Sequence, residues 1–498
     1  MSETDPLLPK EASSPEISGY GFSRSSKVQY QTQSEVLNQD EDVEGNDNSP
    51  TSTGFEGFSP LRTLIVLFTI VVGLAIFITL FVPGTIDGPG DKPKDDTLTV
   101  RARMEKILSE NPLIDGHNDL AILIRFVYQN DLYNESFREK FEKGGMPAHV
   151  DLPRLKDGKV GGAFWSAFVL CPSNGTDFSD ANYVEAMSTT LSQLDLLGRL
   201  TALYPEVFSS PTLNSTTALN AFKNNGLLIS PIGVEGLHQI GNSFSNLRLY
   251  HSLGVRYATL THNCNNAFAD AALTTTPSGQ TIAGPARWHG LSDRGKLVVK
   301  EMNRMGMLVD LAHVSKETML DVLGANSKKF SGSVAPIIFS HSSAYSLCPH
   351  PRNVPDDVLQ LVKKTNSIIM VNFSPDFISC TPSDSKTGLP DFYPPNATLH
   401  QVARHITYIG NLVGYDHVGL GSDFDGIQST PEGLGDVSKY PDLIAELLRM
   451  GVSDPDVAKV AGLNILRVWG EAEKVALKMQ GEGVLPVQDY IEKMQFSL

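Results

Sequence analysis

At 498 residues, 41% of them hydrophobic and 19% charged, the chain can bury a large core and hold more than one domain. Its formal net charge of −16 argues against nucleic acid as a partner, which would want a basic face. None of the four cysteines, Cys171, Cys264, Cys348 and Cys380, stands in a C-x-x-C pair, which argues against a zinc ribbon or a thioredoxin-like site.

Residues 1–62 carry four Lys/Arg and eleven Asp/Glu and few large apolar side chains, and they read as a disordered cytosolic tail. Near their start, Glu3-Thr-Asp-Pro-Leu7-Leu8 is similar to an acidic dileucine signal, which would make a sorting adaptor a partner of the tail. Residues 63–82 are 20 uncharged, mainly apolar residues. As a helix they would span about 30 Å, the thickness of a bilayer core, and they predict one transmembrane helix. They lie too far from the N-terminus to be a cleaved signal peptide.

Flanking charge does not decide the orientation of this helix. The sequons at Asn134, Asn174, Asn214 and Asn396 all follow it and are candidate glycosylation sites. Together with the cysteines they predict a single-pass type II protein with its large part extracellular or lumenal, in a vacuole or endosome or at the cell surface. A fifth sequon, at Asn372, falls in an apolar strand and is expected to be buried. Residues 83–104 are rich in Gly, Pro and Asp and read as a stalk, so the folded domain is expected at 105–498.

Within that domain, apolar and β-branched runs appear at 113–117, 162–170, 227–235, 255–263, 307–314, 336–341, 368–374 and 417–424. Amphipathic stretches such as 296–305 and 358–365 lie between them. Eight parallel-type strands alternating with helices predict an α/β fold, a (β/α)8 TIM-like barrel. An open doubly wound sheet is the alternative. Trp165 reads as core.

Most runs end in a residue that can bind metal or substrate. The first strand leads into His117 and Asp119, which sit two apart and so face the same way. Further runs end at Glu235, His262, His313, His341 and Asp423. In a barrel the C-terminal strand ends gather on one face, so these residues would meet. Imidazole and carboxylate without thiolate suit zinc, and five ligands suit two ions sharing a carboxylate. The other histidines, His350 near Arg352 among them, match no ligand position.

These residues stand in long motifs: DGHND at 115–119, GGAFWSAF at 161–168, YATLTHNCNNAFAD at 257–270, FSHSSAYSLC at 339–348, RNVPDDVLQLV at 352–362 and GSDFDG at 421–426. Over roughly 105–480 the chain resembles membrane dipeptidases of the renal dipeptidase type, zinc metallopeptidases on an amidohydrolase-like barrel. The resemblance implies dipeptide substrates and two Zn2+ per chain. It gives His117 and Asp119 to one zinc, His313 and His341 to the other, and Glu235 to both. A bridging hydroxide would attack the scissile carbonyl. The resemblance further implies His262 and Arg352 as substrate-binding residues, and Asp423 as the carboxylate that exchanges the proton. Disulfides Cys171–Cys264 and Cys348–Cys380 and a homodimer are also family expectations.

Two features depart from that family. The C-terminus YIEKMQFSL has no hydrophobic tail for a lipid anchor, so the N-terminal helix is expected to replace it. The loop 324–333 is longer than the family usually has. Two rival readings fit the sequence less well. A lactonase or phosphotriesterase would use a His-x-His first strand, against His117-Asn-Asp119 here. A non-catalytic membrane glycoprotein would not need the complete ligand set.

Overall fold

In a computed structural model of the chain, residues 96–489 are described, apart from 277 and 327–329. The predicted tail, the predicted transmembrane helix and most of the predicted stalk lie outside them. Among the described residues no helix is long and apolar enough to cross a membrane. The chain divides into two units after Gly90, and every described residue lies in the second.

The first described helix, α1, runs Asp96–Glu110. It takes in the end of the predicted stalk, which therefore stops short of 104. The reason is local amphipathicity: Val100, Met104, Ile107 and Leu108 recur on one face and are buried. Arg103 adds a hydrogen bond from Nε to Oδ1 of Asp454 at 2.7 Å.

Eight strands then follow: β1 Leu113–Asn118, β2 Val160–Ser166, β3 Ile232–Glu235, β4 Val255–Thr259, β5 Leu308–Asp310, β6 Ile338–Phe339, β7 Ile368–Val371 and β8 Val418–Leu420. Each pairs in parallel with the next in chain order, and β1 closes on β8 through Asp115 and Leu420. The sheet is a closed barrel, which removes the doubly wound alternative. Every strand residue is buried, as strands covered on both faces require. Trp165 lies in the core.

Helices return the chain between strands, and their ends are set locally. Ser292 caps Asp293–Met305 by accepting from Gly295 N, and Gly306 ends that helix at φ 77°. Ser315 caps Lys316–Val322 and Thr398 caps Leu399–Val413 in the same way. Two short hairpins, Leu273–Thr275 with Thr281–Ala283 and Cys380–Thr381 with Asp391–Phe392, lie outside the barrel.

Glycines shape the barrel where the site is built. At Gly233 in β3 a Cβ would collide with the Tyr257 ring, so the missing side chain lets that ring into the barrel. Gly236 holds φ 112° and lets the chain turn sharply just after Glu235.

Candidate metal centre

Every candidate from the strand ends reaches one place. His117, Asp119, Glu235, His313 and His341 are 6% exposed or less. His262, Asp423 and Arg352 join Asp119, Glu235 and His313 around one cavity of about 270 Å³ at the C-terminal face.

Glu235 stands at the centre, as the last residue of β3, and its two oxygens divide the cluster. Oε2 lies 3.6 Å from Nε2 of His117, and that nitrogen lies 3.0 Å from Oδ2 of Asp119. Oε1 lies 2.8 Å from Nε2 of His313 and 3.4 Å from Nε2 of His341. Two donor groups thus share one carboxylate.

The tautomers are set from behind. Nδ1–H of His313 donates to Oδ1 of Asn263 at 2.9 Å. Nδ1–H of His341 donates to Oγ of Ser340 at 2.8 Å, since that hydroxyl gives its own proton to Asp310 at 2.6 Å. Both Nε2 lone pairs therefore face inward, where one metal cation can take them together. Nδ1 of His117 meets the Tyr257 hydroxyl at 2.6 Å, which leaves Nε2 for the cluster. The donor set fits two divalent cations held by imidazole and carboxylate. His262 also lies close, its ring 4.5 Å from that of His313. Cys171 and Cys264 come near His238, but they form a disulfide and offer no thiolate.

The electrostatics point the same way. Burial disfavours charge on His117, yet Asp119 and Glu235 outweigh it and push the ring up to about 10. The same two carboxylates would favour a bound cation. Burial drives His313 and His341 well below their ordinary range, aided by the Arg352 charge. Burial pushes Asp423 up to about 6, with Asp119 adding and His117, Arg352 and Asn372 opposing.

Arg352 is 1% exposed, and its Nε, Nη1 and Nη2 have no hydrogen-bond partner among the described residues. Its guanidinium lies 5.2 Å from the Phe377 ring centroid. A buried, unpaired guanidinium facing a cavity calls for an anionic ligand.

Both expected disulfides are present, Cys171–Cys264 and Cys348–Cys380. The first places Cys171 Sγ 3.7 Å from Nδ1 of His262. The second ties down the loop that carries Arg352. Asn134, Asn174, Asn214 and Asn396 are exposed, and Asn372 is fully buried. Nδ2 of Asn372 donates to Oδ2 of Asp423 at 3.0 Å.

Sequence reasoning missed Tyr257, Asn263, Ser340, Asp310 and the part played by Asn372. Two signals were available. Asp115 and Asp310 are carboxylates inside apolar strands, and Asn263 extends a polar run at a strand end.

Comparison with known proteins finds relatives over most of the described residues. Residues 101–483 match the membrane dipeptidase family, peptidase family M19. The chain is 44% identical over 392 residues to the dipeptidase aclJ of Aspergillus oryzae, covering 79% of this chain and 85% of that one. It is 45% identical over 372 residues to an uncharacterized dipeptidase of Schizosaccharomyces pombe, covering 74% and 82%. A Rhodobacter sphaeroides metallopeptidase, solved with a phosphinate mimic of the dipeptide L-Ala-D-Ala, superposes with a TM-score of 0.56 at 24% identity, covering 73% of this chain and 99% of that one. The probable dipeptidase PvdM of Pseudomonas aeruginosa superposes with a TM-score of 0.62 at 23% identity, covering 76% and 100%. With a strand-end cluster of this kind and a family match over most of its length, the chain belongs to the membrane dipeptidase family and is a hydrolase of the metallodipeptidase class.

Proposed function

We propose that the protein is a zinc-dependent dipeptidase that uses two zinc ions per chain. His117 and Asp119 would hold one, His313 and His341 the other, and Glu235 both. The division of Glu235 between two sets of donors is the observation that carries this reading. Bound there, the two ions would acidify the attacking water and polarise the scissile carbonyl.

The remaining roles follow from the side chains around the cavity. Arg352 takes the C-terminal carboxylate of the substrate through its unpaired N–H groups. This selects short, unblocked peptides and fixes the scissile bond over the cluster. His262 stabilises the oxyanion as it forms. Asp423 takes the proton of the attacking water and returns it to the leaving amine, while Asn372 holds its Oδ2.

We further infer that a helix at 63–82 anchors the protein as a single-pass type II membrane glycoprotein, with the catalytic domain outside the cytosol. The 20 uncharged residues and the exposure of four sequons support this. A vacuolar or endosomal address fits the dileucine-like segment, with a sorting adaptor as its partner. The cell surface is the rival address, and a homodimer is the assembly proposed.

The test is hydrolysis of an unblocked dipeptide panel by the purified full-length chain, including members with a D-residue second, with metal content measured alongside. The expected result is about two zincs per chain, with activity lost to chelator and regained with zinc. Folded, zinc-loaded protein that leaves every dipeptide intact would overturn the reading.

A further inference from the structure

Two carboxylates outside the metal cluster repeat one arrangement. In β1, Oδ1 of Asp115 accepts the backbone N–H of His117 at 3.2 Å and of Ser422 at 2.8 Å. Its Oδ2 accepts the Ser422 hydroxyl at 2.5 Å. At the end of β5, Oδ1 of Asp310 accepts the backbone N–H of Ala312 at 3.0 Å and of Ser340 at 2.8 Å. Its Oδ2 accepts the Ser340 hydroxyl at 2.6 Å. Each carboxylate thus holds the N–H two residues along its own chain, and both donors of one serine beyond the neighbouring strand.

All four residues are 1% exposed or less. A buried carboxylate is costly unless fully hydrogen-bonded, so two such clamps in one barrel call for a reason. Sequence position supplies it. Ser422 immediately precedes Asp423, and Ser340 immediately precedes His341. When one carboxylate grips both the amide and the hydroxyl of a serine, the backbone leaving that serine is fixed, and so is the next side chain.

The two clamps differ in what they pass on. Ser340 Oγ also accepts from Nδ1 of His341 at 2.8 Å, so its clamp fixes the ring tautomer. Ser422 Oγ instead accepts the N–H of Phe424 at 3.0 Å, so its clamp closes over Asp423. Asp423 has φ 65°, a left-handed backbone that a non-glycine residue holds at a cost of about 1–3 kcal/mol.

We propose that Asp115–Ser422 and Asp310–Ser340 are a matched pair of positioning clamps, the first aiming Asp423 for proton transfer and the second aiming His341 at the metal. The first arm rests on the dipeptidase reading; the second needs only that the cluster binds zinc. Neither carboxylate touches the substrate, so both are positioning residues.

The test compares Ser340→Ala with Ser422→Ala. Zinc affinity is measured by competition with a chelator, kcat and KM are measured on a dipeptide at saturating zinc, and unfolding is followed for both. Ser340→Ala is expected to weaken zinc binding about 10–100-fold and to regain most of its kcat once zinc saturates. Ser422→Ala is expected to bind zinc like the parent and to lose kcat about tenfold or more, with KM little changed. If both variants lose zinc affinity and kcat together, in step with stability, the clamps merely staple strands and the proposal falls. It falls also if neither quantity moves. Where an alanine variant fails to fold, Ser340→Cys or Ser422→Cys keeps the size of the side chain, weakens its grip on the carboxylate and reads the same split. A parent without dipeptidase activity would overturn the functional reading, while the zinc arm would still judge the Asp310 clamp.

Discussion

The Nε2 atoms of His313 and His341 lie 2.9 Å apart, each ring having its Nδ1 committed to a neighbour. Two lone pairs so close repel unless a cation lies between them and Glu235. Chelation is therefore expected to lower the melting temperature, and zinc to restore it. At a thousandfold excess over Kd the gain is about 4 kcal/mol. Differential scanning calorimetry across a zinc series checks this, and a melting temperature indifferent to zinc would refute it.

Arg352 gives a prediction in which activity and stability move in opposite directions. Arg352→Met removes the group that would hold the substrate carboxylate, so kcat/KM should fall about 100-fold or more, mostly through KM. The same change replaces a buried guanidinium, whose N–H groups find no hydrogen-bond partner among the described residues, with an apolar chain, so the melting temperature should rise. The parent should also discriminate strongly against dipeptide amides. Steady-state kinetics and thermal unfolding of one variant measure both effects.

Asp423→Asn keeps the shape of the side chain but not its basicity. A loss in kcat of about 10²–10⁴-fold is expected, with zinc content at the parent level. Metal analysis beside the kinetics separates this from simple loss of the ions.

His405 sets a pH limit on the loop that carries Arg352. Its Nδ1 accepts the N–H of Ala344 at 3.1 Å, and its Nε2–H donates to the carbonyl of Ile378 at 2.9 Å, so the folded protein holds it neutral. Burial pushes its pKa down to about 4. Between the unfolded value near 6.5 and that of the folded state, only the unfolded chain takes the proton. The contribution is thus complete above about pH 6.5 and is lost progressively as pH falls toward about 4. His405→Gln should flatten the acid slope of stability by at most about 1.4 kcal/mol per pH unit. Urea unfolding at several pH values between those limits is the check.

The disulfide Cys348–Cys380 spans 32 residues, and removing it should cost about 3–4 kcal/mol of stability. The proposed metal ligands stand on strand ends, whereas Arg352 stands on the tied loop. Cys348→Ala with Cys380→Ala should therefore raise KM and leave zinc content unchanged. An assay of metal and kinetics on the same preparation tests that separation.

The barrel was legible because parallel strands buried on both faces leave uninterrupted apolar runs. The runs overstate the strands, however. Only Ile338–Phe339 of the run 336–341 joins the ladder, because Ser340 and His341 turn toward the site. The convergence of the candidate ligands was legible because they end those runs. Their supports were not, because those hydrogen bonds join residues far apart in the chain. Tyr257 lies 140 positions from His117, and Ser422 lies 307 from Asp115. The helical end of the predicted stalk was not legible because α1 hides its apolar stripe among charged residues, and only its packing against the helices Tyr440–Arg449 and Asp454–Ala458 reveals it.

The buried sequon at Asn372 has a consequence for making the protein. Its Nδ2, the atom a glycan would take, is the one that donates to Asp423. In any host that passes the chain through a glycosylating compartment, transferase and folding compete for that nitrogen. Once the barrel closes, the residue is out of reach. A chain caught earlier could not bury the sugar and would not complete its active site. Slow folding would therefore yield a dead, over-glycosylated fraction, and Ser374→Ala, which abolishes the acceptor while leaving Asn372 in place, should recover it.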